Sequence, residues 1–140
     1  MASTVVVQTY NEADNLPALV SALLSLPTDD LKVGVVDDAS PDGTGELAEV
    51  LQQHHPGRVH LIRRAAKMGL GSAYREGFHY ALALGSDVVI QMDADGSHNP
   101  NDVPRLLQVL DEYDVAIGSR YVEGGKLDER WSWWRRLLSW

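Results

Sequence analysis

Asp93-Ala94-Asp95 places two carboxylates at i and i+2, directly after the apolar run Val88-Val89-Ile90-Gln91-Met92. Carboxylates at that spacing, at the end of a buried strand, can both reach one hard divalent cation. Magnesium binds through one or two carboxylates and fills its shell with waters and substrate phosphates. Such an ion neutralises a diphosphate as it departs. A turn with helix-capping acids has the same pattern, so the position after a strand is what favours chemistry.

Three further polar clusters follow apolar runs. Tyr10-Asn11-Glu12 offers an aromatic face for a nucleobase and a carboxylate for its N–H groups. The same stretch can start a helix, with Asp14 or Asn15 as the cap. Asp37-Asp38 can meet a base or a ribose, or can serve the dipole of the following helix. Arg120, in Gly118-Ser119-Arg120-Tyr121, can clamp a phosphate with two hydrogen bonds or sit in a surface ion pair.

Other site chemistries are opposed. The chain has no cysteine, so it offers neither disulfides nor a thiolate metal site. Its 5 histidines are scattered; His98 is near the carboxylates and can line a site, with no catalytic role assigned. Gly69-Leu70-Gly71 precedes a helical pattern, but Tyr74 stands where a dinucleotide fingerprint needs its third glycine. No Walker pattern is present.

Alternating elements must position these groups. Residues 4–8, 32–36, 59–62, 88–92 and 115–119 read as strands. Residues 16–26, 44–53, 70–84 and 101–110 read as helices, the last with Asn99 as N-cap and Pro100 in the first turn. Valine-rich strands each followed by a helix predict an α/β domain with a buried, mostly parallel sheet in a helix–sheet–helix sandwich. Ligands of such sheets bind outside the carboxyl ends of the strands. All four polar clusters lie at those ends.

The 140 residues fit one domain with a sizeable core. A net charge of −8 excludes a whole-protein basic field for nucleic acid. The charge is uneven: residues 130–140 carry Arg130, Arg135 and Arg136 and no acid, so the first 129 residues sum to −11. All 4 tryptophans lie in that same tail. Cations mixed with indoles suit an anionic lipid interface, or packing against further sequence. No signal peptide is expected, and no apolar run approaches the ~18 residues of a membrane span. Membrane contact is therefore expected through a surface, a partner or sequence beyond Trp140.

Taken in order, several runs resemble the polyprenyl-phosphate (dolichol-phosphate) mannose synthases among the family-2 glycosyltransferases. They are Thr9-Tyr10-Asn11-Glu12, Val36-Asp37-Asp38-Ala39-Ser40-Pro41-Asp42-Gly43-Thr44 and Lys67-Met68-Gly69-Leu70-Gly71. Met92-Asp93-Ala94-Asp95-Gly96-Ser97-His98 and Ile117-Gly118-Ser119-Arg120-Tyr121 continue the match, as does Trp131 with Arg135-Arg136-Leu137-Leu138-Ser139.

The resemblance implies a GT-A (Rossmann-like) fold. It also implies inverting transfer of mannose from GDP-mannose to a polyprenyl phosphate, with Mg²⁺ or Mn²⁺ as cofactor. It assigns guanosine to Gln8, Tyr10, Glu12, Val36 and Asp38, and the diphosphate and sugar to Asp93, Ala94 and Asp95. The metal falls to Asp93, Asp95 and Ser97, and phosphates to Arg120 and Arg135. Asp93, Asp95 and Arg120 are thus the expected catalytic residues.

Residues 1–125 are expected to form the nucleotide-sugar-binding domain. Residues 126–140 are expected to begin an acceptor-side, membrane-proximal segment whose remainder is absent. The expected location is cytoplasmic, peripheral at the cytoplasmic face of a membrane. Gln8 departs from the family, which usually has proline there. The alternatives are a family-2 transferase with another nucleotide sugar or acceptor, and a truncated donor-binding module without activity of its own.

Overall fold

The computed structural model describes residues 1–119. Strands β1 (Ser3–Thr9), β2 (Leu31–Asp37), β3 (Val59–Arg63) and β4 (Val88–Asp93) form one parallel sheet in the order β3-β2-β1-β4. Val5, Val6 and Val7 of β1, and Val33, Val35 and Val36 of β2, have no exposed surface. Central strands covered by helices on both faces need such continuous apolar runs.

Helices α1 (Leu16–Leu24), α2 (Thr44–His54) and α3 (Leu70–Ala83) make the crossovers. α1 packs on β2 and on α2, and α2 packs on β3. α3 lies across β1, β2 and β4, where Val6, Val36, Ala73, Tyr74 and Ala81 form a core cluster. Gly77 permits the close approach: a Cβ there would lie 2.4 Å from Val6 Cγ1 and 3.0 Å from Val36 Cγ2.

After β3 the chain crosses back to lay β4 beside β1. Strand order therefore reverses between β1 and β4. In open α/β sheets the crevice at that reversal is the usual ligand site.

Two expected elements differ. In place of one helix over 101–110, a 3₁₀ turn (Pro100–Asp102) precedes α4 (Val103–Val109). Pro104 has no N–H to return to Pro100, so the first turn cannot close an α-helical bond there. The Asn99 cap is present, its side chain accepting from the Asn101 N–H at 3.0 Å. The expected fifth strand over 115–119 does not form, and Val115 and Ile117 are 73% and 85% exposed. A short apolar run becomes a strand only when a neighbouring edge supplies a ladder, and none pairs with it among the described residues.

The chain divides into two compact units, Met1–Pro104 and Arg105–Trp140. The second contributes to the description only the end of α4 and the irregular residues up to Ser119. Arg120, Arg135, the tryptophan tail and the segment 126–140 lie outside the described residues.

Candidate functional site

Side chains alternate between the two faces of a strand, and this alternation sorts the acids. Gln8 stands opposite Val36 on one neighbour and Asp93 on the other. All three share the face covered by α3, and so does Asp38, two residues beyond Val36. Asp37 falls on the opposite face. There its carboxylate is consumed: Oδ1 accepts from the hydroxyls of Thr9 (2.8 Å) and Ser40 (2.6 Å), and Oδ2 from the Ser40 N–H (3.2 Å). Of the adjacent pair, one acid builds the turn and the other reaches the site side.

At the end of β4, neighbours hold both carboxylates of Asp93-Ala94-Asp95. The Tyr74 hydroxyl lies 2.8 Å from Asp93 Oδ1 and 3.0 Å from the Met92 carbonyl. Burial, then the hydrogen bond to Asp93, pushes the Tyr74 phenol well above its ordinary pKa, so it stays a protonated donor. The Asp93 N–H donates to His98 Nδ1 at 2.9 Å, closing the turn. His98 Nε2 lies 4.0 Å from Asp93 Oδ2. The Ser97 hydroxyl and N–H donate to Asp95 Oδ1 at 2.5 and 3.0 Å. The Ser97 hydroxyl is the chief reason the Asp95 carboxyl lies below its usual value.

The loop after β1 is clamped from the start of α2. Side chains of Ser40, Thr44 and Asp42 accept from the N–H groups of Asn11 (3.0 Å), Glu12 (3.0 Å) and Ala13 (3.2 Å). Asn11 and Ala39, with φ of 58° and 55°, occupy left-handed backbone on the two sides of this clamp. Such strain in non-glycine residues collects at functional rims. The expected cap of α1 is absent: Asn15 makes no capping bond and donates to Glu12 Oε2 at 2.9 Å. Lys67 Nζ stands 4.3 Å above the centre of the Tyr10 ring, a cation–π contact on an exposed aromatic face.

Arg64, unmarked in the sequence reading, lies beneath the rim. It follows β3 as Asp38 follows β2, on the same face. Its Nε is 3.2 Å from Asp38 Oδ1, with both side chains 1% exposed. The approach is off the hydrogen-bond line, so Nε, Nη1 and Asp38 Oδ1 have no hydrogen-bond partner among the described residues. Arg64 Nη2 donates to Ser72 Oγ at 3.0 Å, and Glu76 Oε2 is 3.5 Å from Nε. Gln8 Nε2 donates to Asp38 Oδ2 at 3.3 Å.

One cleft at the β1–β4 reversal is lined by Gln8, Glu12, Leu70, Asp93, Ala94 and Asp95. The structure thus brings together five of the residues expected at the donor site. Tyr10 stands exposed on the adjoining loop. Val36 is not among them: its side chain is fully buried in the core cluster under α3. Arg64 and Tyr74 were missed because a lone arginine or tyrosine carries no motif. The available signal was strand-end position for Arg64, and for Tyr74 its place in the broken glycine pattern.

The residues present fit a hard divalent ion. Asp93, Asp95 and Ser97 offer only oxygen donors, which suit Mg²⁺ and Mn²⁺ rather than softer metals. No group of three His, Cys, Asp or Glu converges among the described residues. The two carboxylates of Asp93 and Asp95 are a number compatible with an ion that keeps waters and substrate phosphates.

The family model for glycosyl transferase family 2 matches residues 4–139. The chain is 48% identical over 136 residues to the polyprenol monophosphomannose synthase of Mycolicibacterium smegmatis, covering 96% of this chain and 51% of that protein. It is 46% identical to the undecaprenyl-phosphate mannosyltransferase of Micrococcus luteus, covering 96% of this chain and 54% of that protein. The chain spans about half the length of these relatives. Among solved structures, the mannosyltransferase PcManGT from Pyrobaculum calidifontis, in complex with GDP-Man and Mn²⁺, superposes with a TM-score of 0.61. That match has 30% identity over 73% of this chain and 30% of that one. The fold and these likenesses agree, and the chain belongs to glycosyl transferase family 2.

Proposed function

We propose that this chain is the donor-binding part of an inverting mannosyltransferase that moves mannose from GDP-mannose to a polyprenyl phosphate, using Mg²⁺ or Mn²⁺. The observation that carries this reading is the cleft at the β1–β4 reversal, where Gln8 and Glu12 face Asp93, Ala94 and Asp95. The names of the two relatives support the mannosyl group and the lipid phosphate acceptor. The donor and metal bound by the Pyrobaculum enzyme support GDP-mannose and a divalent cation.

In this reading Asp93 and Asp95 hold the cation, with Ser97 beside them, and Ala94 meets the diphosphate and sugar. The cation would offset charge on the departing diphosphate. Gln8, Tyr10, Glu12 and Asp38 serve the guanosine, and Val36 contributes through its backbone alone. Arg120 and Arg135 are assigned to phosphates on the resemblance. An oxygen of the acceptor phosphate attacks the anomeric carbon from the face opposite GDP. The bond from that carbon to the diphosphate breaks, and its electron pair leaves with GDP. A phosphate is already anionic near pH 7, so no residue has to take its proton.

In this reading the protein works at the cytoplasmic face of a membrane, held there by a surface or a partner. Among the described residues no helix is long and apolar enough to cross a membrane.

Calorimetric titration tests the reading. GDP-mannose should bind with Mn²⁺, fail to bind with chelator, and fail to bind to Asp95→Ala. Binding of UDP-glucose in preference to GDP-mannose would overturn the mannose assignment.

A further inference from the structure

The two edges of the sheet, β3 and β4, are unlike. On β3, Arg58 and Arg64 bond to β2, so the residues between them that turn their N–H groups outward are Val59, Leu61 and Arg63. The end of α2 occupies the first two. Val59 donates to the His55 carbonyl at 3.1 Å, and Leu61 to Gln52 Oε1 at 2.7 Å. The Arg63 side chain adds ion pairs to Glu46 and Glu49 of the same helix. This edge is capped.

On β4, Val88 donates to the Ala2 carbonyl at 3.1 Å, toward β1. Backbone groups alternate in direction along a strand, so Val89, Gln91 and Asp93 face outward. Asp93 agrees, its N–H donating to His98 Nδ1 at 2.9 Å. Val89 and Gln91 have no partner on that side among the described residues. Each presents one N–H and one C=O. The Gln91 side chain is exposed, although it lies beside Val6, which α3 buries. The helix stops short of this edge. Proteins blunt a free edge with charge, proline or a bulge, and Val88-Val89-Ile90-Gln91-Met92 has neither charge nor proline.

We propose that the β4 edge is an interaction surface for a second copy of this chain, the two β4 strands pairing antiparallel about a twofold axis. The outward groups read the same in both directions about Ile90. Val89 of one copy therefore faces Gln91 of the other and exchanges two hydrogen bonds with it, and the twofold repeats the pair. Two four-stranded sheets become one continuous sheet. Both β3 edges are capped, so the assembly closes at a dimer and does not grow. His98 already holds the Asp93 N–H, so the ladder ends at Gln91 and leaves the turn from Asp93 to Ser97 outside it. The proposal is independent of the donor assignment.

Sedimentation velocity over a wide concentration range, with amide hydrogen exchange on the same samples, tests it. The chain should exchange between monomer and dimer, and protection of the Val89 and Gln91 amides should rise with the dimer fraction. Gln91→Pro removes an outward N–H and spares the bonds to β1, a position where an edge strand accepts proline. It should raise the dimer dissociation constant about tenfold or more, since the twofold deletes the bond twice. Gln91→Lys leaves the backbone intact and puts a charge on the edge, so it should weaken the dimer too; it decides the matter if the proline variant does not fold.

A dimer of the parent's strength in the variants overturns the proposal, because another surface then holds the copies together. A parent that stays monomeric at every concentration overturns it, as does growth into larger species. Val89 and Gln91 amides already protected in the monomer overturn it as well, since another segment of the same chain then covers the edge.

Discussion

The phenol of Tyr74 is the donor that sets Asp93, and its removal separates two effects. Tyr74→Phe keeps the ring in the core cluster and leaves the Met92 carbonyl and Asp93 Oδ1 without this partner. Stability should fall by about 1 kcal/mol in denaturant titration. Groups that orient metal ligands affect affinity more than stability, so Mn²⁺-dependent GDP binding should weaken on the order of tenfold. Unchanged binding in the variant would show that Tyr74 supports the fold alone. The sequence announced Asp93 and Asp95 because two acids behind an apolar run form a pattern. It was silent on Tyr74 and Arg64, whose roles arise only when a crossover helix and a third strand arrive at the same rim. It also left Asp37 and Asp38 undivided, although period-two alternation separates them once the strand end is fixed.

At the scale of elements, α3 and the clamp at α2 carry two opposed expectations. Alanine in a helix interior is favoured over glycine by about 1 kcal/mol. At Gly77 that gain is outweighed, because the new Cβ would meet Val6 Cγ1 at 2.4 Å. Val6 is fully buried and stiff at χ1, so helix and sheet must separate. Gly77→Ala should lose about 1–3 kcal/mol in thermal or urea unfolding, and a stabilised variant would refute the close-packing reading.

Asp42 joins α2 to the β1 loop through Thr44 and the Ala13 N–H. The Thr44 hydroxyl is the main reason its carboxyl lies below the usual carboxylate range. A folded value below the unfolded one adds stability above the unfolded pKa, and the contribution fades as pH falls through the folded pKa. Asp42→Asn should therefore be less stable than the parent at pH 7, with the gap closing below about pH 4. A gap constant with pH would dissociate the clamp from the charge of Asp42.

The first four strands and three helices were legible because periodicity and glycine stops coincide there. The run 115–119 was misread because a strand is a property of a pair, and one segment's composition does not reveal whether an edge awaits it.

For the molecule as a whole, alternation of strand and helix predicted that the polar clusters would share one rim. It did not say which strands would be neighbours. The order β3-β2-β1-β4 decides that, by placing the end of β4 against the end of β1 and so Asp93 against Gln8. A site assembled from residues 85 positions apart, Gln8 and Asp93, couples ligand binding to the whole fold, because unfolding separates the two strand ends. A ligand that binds only the folded chain raises stability by RT ln(1 + [L]/Kd), about 2.7 kcal/mol at a hundred times Kd. In a chain of this size that corresponds to a rise in Tm of roughly 10 °C. GDP-mannose with Mn²⁺ at that excess should produce it in a thermal scan. Chelator should abolish the shift, since the diphosphate would then face Asp93 and Asp95 without a cation between them. A shift of equal size with chelator present would place the donor away from these carboxylates and overturn the assignment of the cleft.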